Sequence, residues 1–175
     1  MDEVNSLSWE AFIQRFGNVI EHGPIVAGAI WTQRPFSDAR ELHRAVCGFL
    51  DTLPSTGKES ILRCHPDLAG ALARADRLTT ESKKEQRGAG LLNLTKEEAA
   101  IITELNISYK SKFQFPFVIC ARENKKEAII AGLKARINNT VDVELQHGIG
   151  EVKKIAWYRI LDLVPTASDQ MIAKY

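Results

Sequence analysis

The chain has 175 residues and a formal net charge of +1, with its 26% of charged residues spread along the sequence rather than gathered into a tail. That length suits one domain with a substantial hydrophobic core, and the even charge balance makes neither nucleic acid nor an anionic membrane an obvious partner. Apolar runs fall far short of the roughly 20 residues that span a bilayer, and the acidic start MDEVNSLSWE is not a signal peptide. Three cysteines (Cys47, Cys64, Cys120) without a CxxC predict a reducing, intracellular compartment, and four histidines (His22, His43, His65, His147) in no HxxxH or HExxH spacing announce no metal site.

Taken in chain order, the periodicity is helical nearly throughout. Trp9, Phe12, Ile13 and Phe16 form one stripe after Ser8, a good N-cap, and the pattern runs out at Gly17-Asn18. Pro24 opens a short apolar helix ending near Gln33. Ser37-Asp38 starts a third, with Leu42, Val46, Phe49 and Leu50 on one face and Pro54 beyond its end. A short helix is predicted from about Gly57 to Cys64, and another over ALARA after Gly70. Thr79-Thr80 caps a helix through Ser82, Glu85, Gln86 and Ala89, and Thr95 with Glu98 makes a capping box for a long helix bearing Ile101, Ile102, Leu105 and Tyr109. FQFPFVICA (113–121) breaks the pattern; a dense apolar run around a proline fits either a short strand or a buried extended segment. Helical spacing resumes from about Lys125 to Ile137 and from about Val141 to Val164. Gly148 and Gly150 in that last helix cost about 1 kcal/mol each relative to alanine, so close packing or a local irregularity is expected there. The fold class predicted is all-α, a single domain over residues 1–175 with seven or eight helices.

Four places could carry chemistry. In ILRCHPDLAG (61–70), Pro66 disfavours the α region for His65, so the imidazole sits at a corner where a helix stops. A polar residue in a turn is the ordinary reading of such a histidine. Ser82, Glu85 and Gln86 stand at i, i+3 and i+4, which puts a hydroxyl, a carboxylate and an amide on one helical face. A solvated face is the ordinary alternative, but the following GAGL suits a crowded junction better than a surface helix. FPFVICA cannot satisfy its own backbone, and a flat heterocycle edged with amides would supply partners for it. Arg159, among Ile155, Trp157, Ile160 and Leu163, is a guanidinium in an apolar setting and calls for an anion.

HPDLAG, the S-x-x-E-Q-x-x-A-G-L of Ser82 to Leu91, FPFVICA, and the EVKKI-x-x-x-R of Glu151 to Arg159 together resemble the family of 2-oxo-4-hydroxy-4-carboxy-5-ureidoimidazoline (OHCU) decarboxylases of urate breakdown. The resemblance spans nearly the whole chain, including FGNVIE (16–21) and WTQRPF (31–36). It implies an all-α fold, no cofactor, and loss of the OHCU carboxylate to give (S)-allantoin and carbon dioxide. It also implies His65 as catalytic acid with Glu85 as its partner. The stretch Ser82, Lys83, Lys84, Glu85 and Gln86 would bind substrate, Pro66 with Phe117, Val118, Ile119, Cys120 and Ala121 would line the pocket, and Arg159 would take an anionic or carbonyl oxygen. The chain departs from the family at Gln114, where glycine usually precedes the second phenylalanine.

The partner expected is this small molecule, with neither nucleic acid nor membrane, and a homodimer is left open. Family members often end in a Ser-Lys-Leu type tripeptide. The terminal Ala-Lys-Tyr lacks the leucine, so peroxisomal and cytoplasmic placement both stay open. Two rivals remain. A helical adaptor would present a long apolar groove, whereas the enzyme needs a pocket of small-molecule size. A hydrolase of a cyclic ureide, with Glu85 as general base, would release no carbon dioxide.

Overall fold

The computed structural model describes residues 1–164, and over these the chain is all-α, with no strand. The C-terminal tripeptide lies outside the described residues. Contacts group the chain into two compact units: Met1–Pro54 resumed from Lys153, and Ser55–Val152.

The first unit holds α1 (Asp2–Ser6), α2 (Trp9–Phe16), α3 (Pro24–Ile30) continued by a 3₁₀ turn (Trp31–Gln33), and α4 (Ala39–Thr52). The caps are those the sequence predicts. Ser8 accepts the Ala11 N–H at 3.2 Å and Asp38 that of Glu41 at 2.7 Å, each satisfying a donor that a helix start leaves open. Phe12, Phe16, Val26, Ile30, Leu42, Val46 and Leu50 are buried. Each large apolar side chain so removed from water contributes about 1.5–3 kcal/mol. Phe12 stacks tilted on Phe16 with centroids 4.8 Å apart. The five-residue α1 has no periodicity to announce it. It is fastened through Asn5, whose side chain bonds both the N–H and the C=O of Phe36 at 2.9 Å.

The second unit contains α5 (Ser55–Arg63), the four-residue α6 (Ala71–Arg74), α7 (Thr80–Gly88), α8 (Lys96–Phe113) and α9 (Lys126–Arg136). α10 (Val141–Leu163) runs through Val152 into the first unit's share of the chain. The capping box at Thr95 and Glu98 is formed in both directions. Gly148 has a packing reason: a Cβ there would meet both δ-methyls of Leu62 at 3.0 Å. At Gly150 a Cβ would meet nothing within 4 Å, so packing does not explain that glycine. FQFPFVICA is neither helix nor strand beyond Phe113. It is an irregular segment with Phe115, Phe117, Val118, Cys120 and Ala121 buried, and Tyr109 sets its ring edge-on to Phe117 at 5.4 Å.

Candidate active site

In the second unit a hydrogen bond joins the HPDLAG corner to α7, and an ion pair joins α7 to the end of the irregular run after α8. The corner forms because α5 ends at Arg63 and Pro66 forbids its continuation. The His65 N–H still reaches Leu62 O at 3.1 Å, and its ring Nδ1 lies 3.1 Å from Ile61 O. A carbonyl only accepts, so Nδ1 is the donor, which leaves the buried Nε2 as the nitrogen through which the ring can exchange a proton. Below the corner the chain turns tightly. A Cβ at Gly70 would sit 2.6 Å from that of Asp67, and Ala69 takes a left-handed φ of 50°. Asn106 Nδ2 donates to Leu68 O at 3.0 Å, and Lys110 pairs with Asp67 at 3.0 Å.

α7 starts at Thr79, whose hydroxyl accepts the Ser82 N–H at 3.3 Å. Its buried face is the one the spacing predicts: Ser82, Glu85 and Gln86, continued by Ala89. Gln86 Oε1 accepts the Ala69 N–H at 2.9 Å and so joins α7 to the corner. Glu85 Oε1 lies 3.9 Å from Arg122 Nε, at the end of the irregular run. Lys83 and Lys84 do not share this face, for Lys83 pairs with Asp76 at 2.6 Å and Lys84 is exposed. The GAGL stretch is not crowded throughout: a Cβ at Gly88 would meet nothing within 4 Å, whereas Gly90 supplies a φ of 83° where the chain turns. Lys126 N–H then bonds Ala89 O at 3.0 Å.

The irregular run begins at Gln114, which caps α8 in the left-handed region with φ 63°. That conformation is what a glycine would supply freely, so the turn survives the departure from the family pattern at the cost of strain. The protein itself satisfies part of the backbone beyond it. Val118 O accepts from Arg136 Nη1 at 2.9 Å, the Cys120 N–H donates to Glu151 Oε2 at 2.7 Å, and Cys120 O accepts from Asn124 Nδ2 at 2.9 Å. The remaining donors of Arg136, Nε and Nη2, bind the fully buried Glu144 at 2.9 and 2.5 Å. Tyr109 Oη also donates to Glu144, as does Asn139 Nδ2 at 2.8 Å. Burial, then the Glu144 hydrogen bond, push the Tyr109 phenol well above its ordinary range. Burial likewise pushes the Cys120 thiol up to about 11, so near neutral pH it is a thiol and a poor nucleophile.

Arg122, Arg136, Glu144 and the Glu151 contact escape a sequence reading because each has a plain local explanation. Arg136 in the last turn of α9 and Glu144 in the first turn of α10 read as complements to helix dipoles. Arg159 belongs to the first unit. Its anion is Glu21: Nη1 lies 2.8 Å from Glu21 Oε2 and donates to Asn18 O at 2.9 Å, with both side chains almost completely buried. Among the described residues no group of three His, Cys, Asp or Glu side chains is arranged to hold a metal, and no helix is long and apolar enough to cross a membrane.

Comparison with known proteins agrees with the motifs. A family model described as OHCU decarboxylase matches residues 5–161. The 2-oxo-4-hydroxy-4-carboxy-5-ureidoimidazoline decarboxylase of Xenopus laevis is 49% identical over 163 residues, covering 93% of each chain. That of Amia calva is 48% identical over 94% of each, and a putative one of Homo sapiens is 43% identical over 94% of this chain and 95% of its own. Among solved structures, an (S)-allantoin synthase superposes with a TM-score of 0.75 at 23% identity, covering 95% of this chain and 54% of its own. An OHCU decarboxylase crystallised in the presence of (S)-allantoin gives 0.65 at 24% identity, covering 79% and 89%. These two likenesses speak for the fold.

Proposed function

Because the chain belongs to the OHCU decarboxylase family, we propose that it removes the carboxylate of OHCU to give (S)-allantoin and carbon dioxide, the last step of urate-to-allantoin conversion. The observation that carries this reading is 49% identity across 93% of both chains to a decarboxylase of that substrate.

The chemistry asks little beyond a placed proton. When the bond from ring carbon to carboxylate breaks, carbon dioxide leaves and the electron pair spreads into the neighbouring C=N bond. One proton neutralises that charge, and conversion of the ring hydroxyl to a carbonyl leaves a hydrogen on the ureido-bearing carbon. A single enantiomer requires delivery from one face. His65 is the proposed acid. Its Nδ1 is tethered to Ile61 O, so the imidazolium would give up its proton from Nε2, and Pro66 holds the ring on one side. Glu85, on the buried face of α7 and 3.9 Å from Arg122, is the proposed partner for the imidazolium or acceptor for the substrate hydroxyl. Ser82 and the 117–121 backbone are the proposed binders of the ring and ureido amides.

The enzyme is proposed to need no cofactor. Activity that fell on exhaustive chelation and returned with one divalent ion would overturn that. The function itself is tested by generating OHCU freshly from urate and following the decay of its circular dichroism with and without the protein, together with carbon dioxide release. Accelerated decay to (S)-allantoin with one equivalent of carbon dioxide is expected; no acceleration, or decay without carbon dioxide, would rule the reading out. Placement in the peroxisome or cytoplasm and assembly as a homodimer stay as expectations for cell imaging and sedimentation.

A further inference from the structure

Two peptide groups meet at Ile119, and each is gripped at one end by a charged side chain. The group joining Val118 to Ile119 has its carbonyl oxygen 2.9 Å from Arg136 Nη1. The group joining Ile119 to Cys120 has its N–H donating to Glu151 Oε2 at 2.7 Å. A planar trans peptide points its N–H and C=O in opposite directions. Fixing the Val118 oxygen therefore aims the Ile119 N–H away from Arg136, and fixing the Cys120 N–H aims the Ile119 C=O away from Glu151. One residue so presents a donor and an acceptor, and neither atom is hydrogen-bonded among the described residues. Ile119 is half-buried between the buried Val118 and Cys120.

The charges also act in the useful sense. A cation on the Val118 oxygen draws electron density through the peptide and makes the Ile119 N–H a stronger donor. An anion on the Cys120 N–H pushes density onto the Ile119 oxygen and makes it a stronger acceptor. The edge of a cyclic ureide, N–H beside C=O, is the complement of such a pair. Arg136 has little freedom to let go, since its other donors are held by the fully buried Glu144 and its guanidinium lies 4.5 Å from the centre of the Phe117 ring.

We propose that Arg136 and Glu151 are positioning residues that aim the two peptide groups of Ile119 at an amide edge of the substrate ring. This rests on the function proposed above. The test pairs kinetics with binding of the product, followed by the ¹⁵N-labelled Ile119 amide during titration with (S)-allantoin. In Glu151→Ala the Cys120 peptide loses its anchor, so KM and the allantoin dissociation constant should each rise about tenfold while kcat changes little. Glu151→Gln, whose amide oxygen still accepts the Cys120 N–H, should restore most of the loss. A purely structural role would lower the melting temperature and leave KM and the Ile119 signal alone. Folded Glu151→Ala with unchanged KM and allantoin affinity would overturn the inference while an active wild type left the function standing. A wild type inert toward OHCU would remove both. Should Glu151→Ala fail to fold, Arg136→Lys serves, because one ammonium cannot hold Val118 O and Glu144 in the same fork; an unaltered KM in that variant would again sink the idea.

Discussion

Gln86 Oε1 accepts the main-chain N–H of Ala69 at 2.9 Å, so the helix carrying the buried polar face also holds the corner that follows His65. Ala69 is left-handed, a conformation that costs a residue with a Cβ about 1–2 kcal/mol, and the bond helps keep it there. Gln86→Met removes that acceptor at similar volume. It should lower stability by about 0.5–1.5 kcal/mol and cut kcat/KM by roughly ten- to a hundredfold. Denaturant melts with steady-state kinetics check both; unaltered kinetics would detach Gln86 from the site.

His65→Asn should lower kcat by about 10²–10⁴-fold with circular dichroism unchanged, the range for losing a general acid. If the folded variant made (S)-allantoin near the wild-type rate, His65 would be a turn residue only.

Gln114→Gly should stabilise the protein. The left-handed cap costs glutamine about 1–2 kcal/mol, against roughly 0.5–1 kcal/mol of extra chain entropy for glycine, so a net gain of about 0.5–1 kcal/mol is expected. That amounts to a rise of about 1–4 °C in melting temperature. A fall would mean that the Gln114 Nε2 bond to Ser111 O at 2.8 Å outweighs the strain.

The Glu21–Arg159 pair is almost completely buried, and removing one partner leaves a charge in the interior. Glu21→Ala should cost about 3–5 kcal/mol in chemical denaturation. Arg159→Lys should recover only part of what Arg159→Ala loses, because both contacts are made by Nη1 and a lysine ammonium ends one bond short of that position.

Tyr109 gives a pH signature. Burial, then its bond to Glu144, raise the phenol's pKa in the folded state, so the fold binds the neutral form. The contribution is therefore complete below the unfolded value of about 10 and is lost as pH rises beyond it. Wild-type stability should fall above pH 10 by about 1.4 kcal/mol per pH unit more steeply than that of Tyr109→Phe. Parallel slopes would show that the phenol ionises equally in both states.

Helices with a cap and a stripe were open to reading from sequence alone. Ser8, Asp38, Thr79 and Thr95 all cap where their neighbours say, and Ser82, Glu85 and Gln86 are buried together as i, i+3, i+4 spacing requires. The family motifs reached His65 as well. What escaped depends on contacts distant in sequence: Arg136 reaches Val118 across 18 positions and Glu151 reaches Cys120 across 31. No local period encodes such a meeting. Lys83 and Lys84 fell within the motif but sit between its buried positions, which turns them off the polar face.

A wall made of peptide groups is insensitive to the side chain it happens to carry. Ile119 could become valine or leucine and still present the same N–H and C=O, so mutational scanning at that position should return a broad tolerance for apolar residues. The intolerance should surface instead at Arg136 and Glu151, in α9 and α10. Selection on such a surface would leave its imprint away from the surface itself, and a specificity change would be reached by retuning the two grips rather than by replacing the residue between them.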